Sequence, residues 1–131
     1  MASIDAGMLI LVGVENGDTE EDARWLAGKT AALRIFDDAE GVMNRSVCDV
    51  RGGIIAVSQF TLTASTRRGN RPGYIRAMHG AEAEALYDAY CRLLQEDSGI
   101  TVGRGIFGAD MDVALHNDGP VTIIIDSRLR E

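Results

Sequence analysis

Three short apolar runs constrain the fold of this chain more than any other feature. They cover residues 8–14, 54–57 and 121–125. Continuous apolar runs of this length, bounded by turn residues, are typical of buried β-strands. They are too short for membrane helices, which need about 20 apolar residues. The sequence therefore predicts a water-soluble protein without membrane partners, built around a buried sheet.

Two helices are predicted between these strands. Asp18 followed by Glu21 is a helix-start pattern, and the first helix is expected to run to about Leu33. A second helix is predicted over residues 81–96 from apolar residues at helical spacing.

Strands that outnumber helices and adjoin through short turns predict the α+β class, with a largely antiparallel β-sheet or barrel and two main helices. The length of 131 residues predicts a single domain, residues 1–131. Further strands are predicted over residues 33–36, 100–104, 111–115 and 121–126.

The scarcity of cysteine and histidine limits the possible chemistry. Cys48 and Cys91 stand apart from one another, which favours a reduced, cytoplasmic compartment. His79 and His116 alone cannot build a zinc site, and no phosphate-binding glycine loop occurs. The sequence therefore predicts neither a metal site nor a cofactor.

The charge of the chain is unevenly distributed. The net charge is −7, yet all 20 acidic residues lie outside residues 51–81, which contain five arginines. An acidic protein with one basic segment fits binding of a polyanion at that place only. A solvated arginine loop without a partner explains the charge pattern equally well. Four of the five arginines follow Ser58-Gln59-Phe60-Thr61-Leu62, and this position favours the polyanion, with Arg67, Arg68 and Arg71 as candidate contacts.

Two polar peptides adjoin the apolar runs. Ser58-Gln59-Phe60-Thr61-Leu62 follows residues 54–57, and Asn117-Asp118-Gly119-Pro120-Val121-Thr122 leads into residues 121–125. They predict a site at the rim of the core that is built from backbone groups as much as from side chains. A triad of Ser58, His116 and Asp126 is disfavoured because no G-x-S-x-G turn is present. An activated ester can still be hydrolysed where backbone N–H groups stabilise the oxyanion.

These peptides resemble the signature motifs of the D-aminoacyl-tRNA deacylase family, also called D-tyrosyl-tRNA deacylase. Residues 67–72 and 107–111 match the family as well, so four segments in order carry the resemblance, which extends from about Gly7 to Ser127. The resemblance implies the fold of that family and the hydrolysis of D-aminoacyl-tRNA and of glycine mischarged on tRNA, as chiral proofreading in translation. It also implies a homodimer with its active sites at the subunit interface.

The resemblance further implies a role for each candidate residue. Gly119 and Pro120, joined by a cis bond, are expected to reach into the partner's pocket as a chirality filter that holds the substrate's amino group. Phe107 and Met111 would flank the terminal adenosine of the aminoacyl-tRNA 3′ end, and Arg67, Arg68 and Arg71 would bind tRNA. The pocket floor and the oxyanion donors would be Ser58, Gln59, Phe60 and Thr61.

Two departures from the family pattern accompany the resemblance. The family's N-terminal strand with a Gln-Arg-Val motif has no counterpart here, and Gly73 stands where serine is usual. In the family that arginine braces the Gly-Pro loop and the strand completes the sheet, so absence of the strand is expected to expose a sheet edge. A catalytically impaired tRNA-binding module of the same fold is therefore the alternative hypothesis.

Overall fold

The computed structural model describes residues 1–130 as a small sheet with two helices packed on it. Five strands, two α-helices and one 3₁₀ turn follow one another along this part of the chain. In chain order they are β1 (Gly7–Val12), α1 (Glu20–Ala32), β2 (Phe36–Asp37), β3 (Met43–Arg45), β4 (Gly53–Ser58), the 3₁₀ turn (Phe60–Thr63), α2 (Gly80–Ser98) and β5 (Val102–Arg104).

The central element is β4, which pairs with β1 on one side and with β5 on the other. All three strands are parallel, with Gly7 opposite Gly53 at the start of β1 and Val12 opposite Ser58 at its end. The two strands approach closely at Gly7, where a Cβ atom would overlap the backbone of Gly53. This register places the end of β4 beside the end of β1, where the first polar peptide begins.

The prediction of α+β with two main helices is confirmed, but the largely antiparallel sheet is not observed. Only the two-stranded β2–β3 ribbon is antiparallel. Each connection between neighbouring strands of the main sheet contains a helix, which returns the chain to the end of the sheet where the preceding strand began. Consecutive crossovers in one direction place both helices on the same face of the sheet. There α1 and α2 pack against each other.

The strands predicted over residues 111–115 and 121–126 are also absent. Both segments lack strand pairing in the described chain, and residues 108–120 are exposed throughout. A strand requires a neighbour to accept and donate its backbone hydrogen bonds, and residues 1–130 provide none beside these segments. We call residues 105–125 the arm. It exposes several large apolar side chains: Ile106, Met111, Val113, Leu115, Ile123 and Ile124.

Helix α1 begins one residue later than predicted. Thr19 is the N-cap, and its backbone N–H donates to Asp22 Oδ2 at 2.9 Å. This hydrogen bond is the main reason that the pKa of Asp22 is lowered. Asp18 instead accepts the backbone N–H of Glu15 at 2.8 Å. Four residues of α1 are buried: Ala23, Ala27, Thr30 and Ala31.

Helix α2 ends at Gly99, whose φ of 71° is the left-handed conformation typical of a C-cap glycine. Its buried face includes Tyr87, whereas Ala85 is exposed. The Tyr87 hydroxyl donates to the carbonyl of Ala56 at 2.8 Å and so ties α2 to β4. Cys91 is buried in the core, where a free cysteine packs as a small apolar residue. Among residues 1–130, neither helix has the length and apolar composition to cross a membrane.

A buried hydroxyl pair joins the two helices. Thr30 Oγ1 donates to the Leu26 carbonyl at 2.7 Å and lies 2.8 Å from the Tyr90 hydroxyl. Because the single threonine proton is used on Leu26, the Tyr90 hydroxyl is the donor to Thr30. Burial raises the pKa of Tyr90 to about 12. The stability from this pair is therefore complete below about pH 10 and is lost as the pH rises towards 12.

Tyr90→Phe is expected to lower the free energy of unfolding by about 1 kcal/mol, because one buried hydrogen bond is lost. Thr30→Val is expected to cost more, about 1–3 kcal/mol, since it leaves the Tyr90 hydroxyl without an acceptor. Urea denaturation of both variants and of the double variant measures the coupling, and the double variant should lose less than the sum. Tyr74→Phe, at a half-exposed ring, is the control. A Tyr90→Phe protein as stable as the wild type would contradict this assignment.

Candidate active site

The first polar peptide forms a tight turn at the end of β4. The pairing with β1 continues one residue beyond the strand, because the Gln59 N–H donates to the Val12 carbonyl at 2.8 Å. The chain then enters the 3₁₀ turn, which Thr63 Oγ1 closes by donating to the Phe60 carbonyl at 2.7 Å. Ser58, Gln59 and Thr61 are half-buried, at the rim of the core as the sequence predicts.

Two backbone N–H groups of this turn are free. Within residues 1–130, the amides of Phe60 and Thr61 donate no hydrogen bond, whereas the next amide, that of Leu62, donates to the Gln59 carbonyl at 3.2 Å. The first N–H groups of a helical turn have no partner inside the turn. Adjacent free amides of this kind can stabilise a developing oxyanion.

The Thr61 hydroxyl lacks the environment of an activated nucleophile. Gln59 Nε2 donates to Thr61 Oγ1 at 2.5 Å. A nucleophilic hydroxyl needs a base that removes its proton, yet the side chain hydrogen-bonded to Thr61 is an amide. Ser58, His116 and Asp126 share no hydrogen bond in the described chain, so no triad forms there either. The turn contributes donors to a substrate more readily than it contributes an attacking oxygen.

Phe60 is surrounded by aromatic residues that sequence reasoning did not single out. Its half-exposed ring meets Tyr74 edge-on, with centroids 5.0 Å apart, and lies 6.1 Å from the His79 ring. Tyr74 and His79 belong to the basic segment, 14 and 19 residues beyond Phe60. The only sequence signal for them was that segment's position after the first polar peptide.

The basic loop is placed beside the turn. A short antiparallel bridge between Ser65 and Gly73 closes it. Arg67, Arg68 and Arg71 are exposed at its tip, and none of their side chains forms an ion pair or hydrogen bond with another residue of the range 1–130. Three arginines without internal partners, held next to a turn with free amides, form a positive surface suited to an anionic ligand.

The second polar peptide closes on itself within the arm. Asn117 Oδ1 accepts the Val121 N–H at 3.2 Å, while Asn117 Nδ2 donates to Thr122 Oγ1 at 3.0 Å. Gly119 has a φ of 128°, and a Cβ atom there would lie 2.9 Å from Val121 Cγ2, so only glycine fits. The Gly119–Pro120 bond is cis, as expected.

The structure does not join all the predicted site residues in one copy of the chain. No hydrogen bond links residues 117–122 to residues 58–63 in the described part. Phe107 packs on Tyr87 of α2, with ring centroids 6.0 Å apart, and Met111 is exposed on the arm. Surface clefts of about 500 and 620 Å³ lie elsewhere, and neither is lined by any residue of the 3₁₀ turn. Within residues 1–130, the 3₁₀ turn and residues 117–122 of the arm are therefore not brought together by hydrogen bonds.

Comparison with known proteins identifies the relatives of this chain. The family model described as D-Tyr-tRNA(Tyr) deacylase matches residues 1–126. The D-aminoacyl-tRNA deacylase of Akkermansia muciniphila is 56% identical over 129 residues, which cover 98% of this chain and 86% of the relative. A match of this extent includes both polar peptides, the basic loop and the arm.

Two solved structures superpose on this chain. The structure of a c-Myc DNA Unwinding Element Binding Protein superposes with a TM-score of 0.84 at 36% identity, covering 92% of this chain and 81% of the other. A probable eukaryotic D-amino acid tRNA deacylase superposes with a TM-score of 0.66 at 18% identity, over 79% of this chain and 76% of the other. The second likeness shows the fold alone.

Proposed function

The chain belongs to the D-Tyr-tRNA(Tyr) deacylase family, and we propose that it hydrolyses the ester bond of D-aminoacyl-tRNA and of mischarged glycyl-tRNA. The observation that supports the proposal is the turn after β4, where the amides of Phe60 and Thr61 are free in a chain that belongs to this family. The reaction needs no metal or cofactor and takes place in the cytoplasm.

The proposed reaction uses backbone donors and a hydroxyl supplied from outside the protein. A water molecule, oriented by the ribose 2′-OH of the substrate, attacks the ester carbonyl. The N–H groups of Phe60 and Thr61 stabilise the oxyanion that forms. The bond to the ribose 3′-oxygen then breaks and that oxygen takes the proton lost by the water, which releases tRNA and the amino acid. The hydrogen bond that Gln59 Nε2 donates to Thr61 Oγ1 supports attack by water over attack by Thr61, because an amide cannot remove the threonine proton.

Chiral selection is assigned to Gly119 and Pro120. The Asn117 side chain fixes this turn by two hydrogen bonds. The backbone carbonyl groups of Gly119 and Pro120 are therefore acceptors with a fixed direction for the substrate's ammonium group. Beside a fixed backbone, a hydrogen or a D side chain fits where an L side chain collides. Each factor of ten in selectivity requires about 1.4 kcal/mol of differential transition-state energy. Phe107 and Met111 flank the terminal adenosine in this proposal.

The complete site is assigned to a homodimer. One copy of the chain leaves the arm unpaired and apolar, with Ile124 89% and Leu115 61% exposed. Apolar surface of this extent marks an interaction site. In the proposed dimer, residues 111–115 and 121–125 become antiparallel strands, and each arm brings Gly119 and Pro120 to the partner's 3₁₀ turn. The antiparallel pairing predicted from the sequence then arises on assembly.

Turnover of D-Tyr-tRNA and L-Tyr-tRNA tests the activity directly. With excess chelator, the purified protein is expected to release D-tyrosine at least about 100-fold faster than L-tyrosine, which corresponds to about 2.7 kcal/mol of discrimination. Release is followed on tRNA labelled at its 3′ end. Equal rates for the two substrates, or activity lost on chelation, would contradict the proposal. Tight binding of D-Tyr-tRNA without turnover would instead support the impaired binding module.

Alanine at Arg67, Arg68 and Arg71 together should weaken binding to all tRNAs alike, because phosphate contacts carry no sequence information. The slope of log affinity against log salt should become shallower by about 0.7 to 0.9 for each lost contact. Fluorescence anisotropy with uncharged tRNA between low and moderate salt measures the slope. Arg45→Ala, an exposed arginine on β3, is the matched control. A slope unchanged in the triple variant would return the loop to a solvated surface.

A further inference from the structure

The Arg76 side chain forms hydrogen bonds at the C-terminal end of the 3₁₀ turn. Its Nη2 atom donates to two successive carbonyl groups, those of Thr63 at 3.1 Å and Ala64 at 3.2 Å. Neither carbonyl accepts a hydrogen bond from any other residue in the described chain. The last carbonyls of a helical turn lack partners within the turn, and a guanidinium is well shaped to satisfy two acceptors at once.

The guanidinium is itself held from behind. Glu15 Oε1 lies 3.6 Å from Arg76 Nη1, and Glu15 Oε2 lies 3.6 Å from Arg128 Nη1. Glu15 therefore carries one arginine on each carboxylate oxygen, and its side chain is only 23% exposed. Exposed ion pairs contribute little on their own, so the importance of Glu15 lies in the direction it gives to Arg76.

The backbone around Arg76 is fixed as well. The Asn16 N–H donates to the Arg76 carbonyl at 2.9 Å, and the Met78 N–H donates to the Val14 carbonyl at 2.9 Å. Glu15 and Ala77 form an antiparallel bridge between these two hydrogen bonds. The segment after β1 thus anchors Arg76, and Arg76 anchors the 3₁₀ turn.

The turn is too short to move at one end only. It contains four residues, with the free amides of Phe60 and Thr61 at its start and the carbonyl that Arg76 holds at its end. The amide of Ala64 returns to the Thr61 carbonyl at 3.2 Å, which couples the two ends directly. Loss of the grip on Thr63 and Ala64 would therefore change the direction of the amides that face the substrate.

We propose that Arg76 is a positioning residue, which, held by Glu15, orients the Phe60 and Thr61 amides through the carbonyls of Thr63 and Ala64. The inference rests on the proposed function and assigns Arg76 a role different from that of Arg67, Arg68 and Arg71. Those three side chains are exposed at the loop tip without partners in the range 1–130. The Arg76 side chain is 57% exposed, but its guanidinium is bonded to the turn, so it acts on kcat rather than on tRNA affinity.

Steady-state kinetics separates the two roles. Arg76→Ala should lower kcat on D-Tyr-tRNA by about 10- to 100-fold with KM changed less than about twofold, since small displacements of catalytic groups have effects of this size. Arg76→Lys, which offers a single ammonium, should fall between Arg76→Ala and the wild type, and millimolar guanidinium should partly restore Arg76→Ala. Glu15→Gln should lower kcat less than Arg76→Ala does. Arg71→Ala should raise KM instead. A rise in KM with kcat unchanged in Arg76→Ala would overturn the proposal.

Amide hydrogen exchange on the free protein tests the same inference without turnover. In Arg76→Ala the amides of Leu62 and Ala64 should exchange about tenfold faster, equivalent to about 1.4 kcal/mol, while those of β4 stay unchanged and Arg71→Ala resembles the wild type. Unchanged exchange in Arg76→Ala and Arg76→Lys would overturn the proposal. If the wild type hydrolyses no D-aminoacyl-tRNA, the proposed function fails, yet the exchange rates still support or refute the grip of Arg76 on the turn.

Discussion

The parallel pairing of β4 with β1 and β5 is the constraint on which the site depends. It places Ile54 and Ala56 in one core with residues of both helices, and it extends past the strand through the hydrogen bond from the Gln59 N–H to the Val12 carbonyl. The 3₁₀ turn therefore begins at a fixed point, and its first amides are free because the first N–H groups of a helical turn have no partner inside the turn. The Tyr87 hydroxyl on the Ala56 carbonyl reinforces β4 from the helical side.

The chemistry assigned to this protein relies on backbone groups held in place by side chains. Gln59 donates a hydrogen bond to the Thr61 hydroxyl, and Arg76 donates to the carbonyls at the end of the 3₁₀ turn. Asn117 accepts the Val121 N–H and so fixes the Gly119–Pro120 turn. Backbone donors cannot change rotamer, so a site made from them is rigid once the surrounding side chains fix it. The separation between turn and arm in one copy is the reason for assigning the complete site to two copies.

Local patterns in the sequence predicted the elements but not their assembly. Apolar runs located β1 and β4, and helical spacing located α1 and α2 to within a few residues. The N-cap moved from Asp18 to Thr19 because Asp18 binds the Glu15 amide instead. The largely antiparallel sheet is not confirmed in one copy, because strand direction depends on crossovers. Residues 111–115 and 121–126 are not strands in that copy because pairing needs a neighbour. The sequence could not predict the proposed roles of Arg76 and Glu15. They depend on the contacts of Arg76 with Ala64, 12 residues away along the chain, and with Glu15, 61 residues away. The motif resemblance alone indicated the family.

Complementation between two damaged copies tests the shared site most directly. Gly119→Ala damages the turn that a copy donates, and Phe60→Pro removes an amide at a position where proline is tolerated. Each homodimer should be inactive, whereas the mixed dimer, purified through two different tags, should regain about half the wild-type activity because one of its two sites is intact. Gly28→Ala, at an exposed glycine of α1 where an added Cβ atom would meet only Asp97 Oδ2 at 3.8 Å, is the control for the Gly119→Ala change and should leave its own homodimer active. A mixed dimer as inactive as its parents would contradict a site shared between subunits.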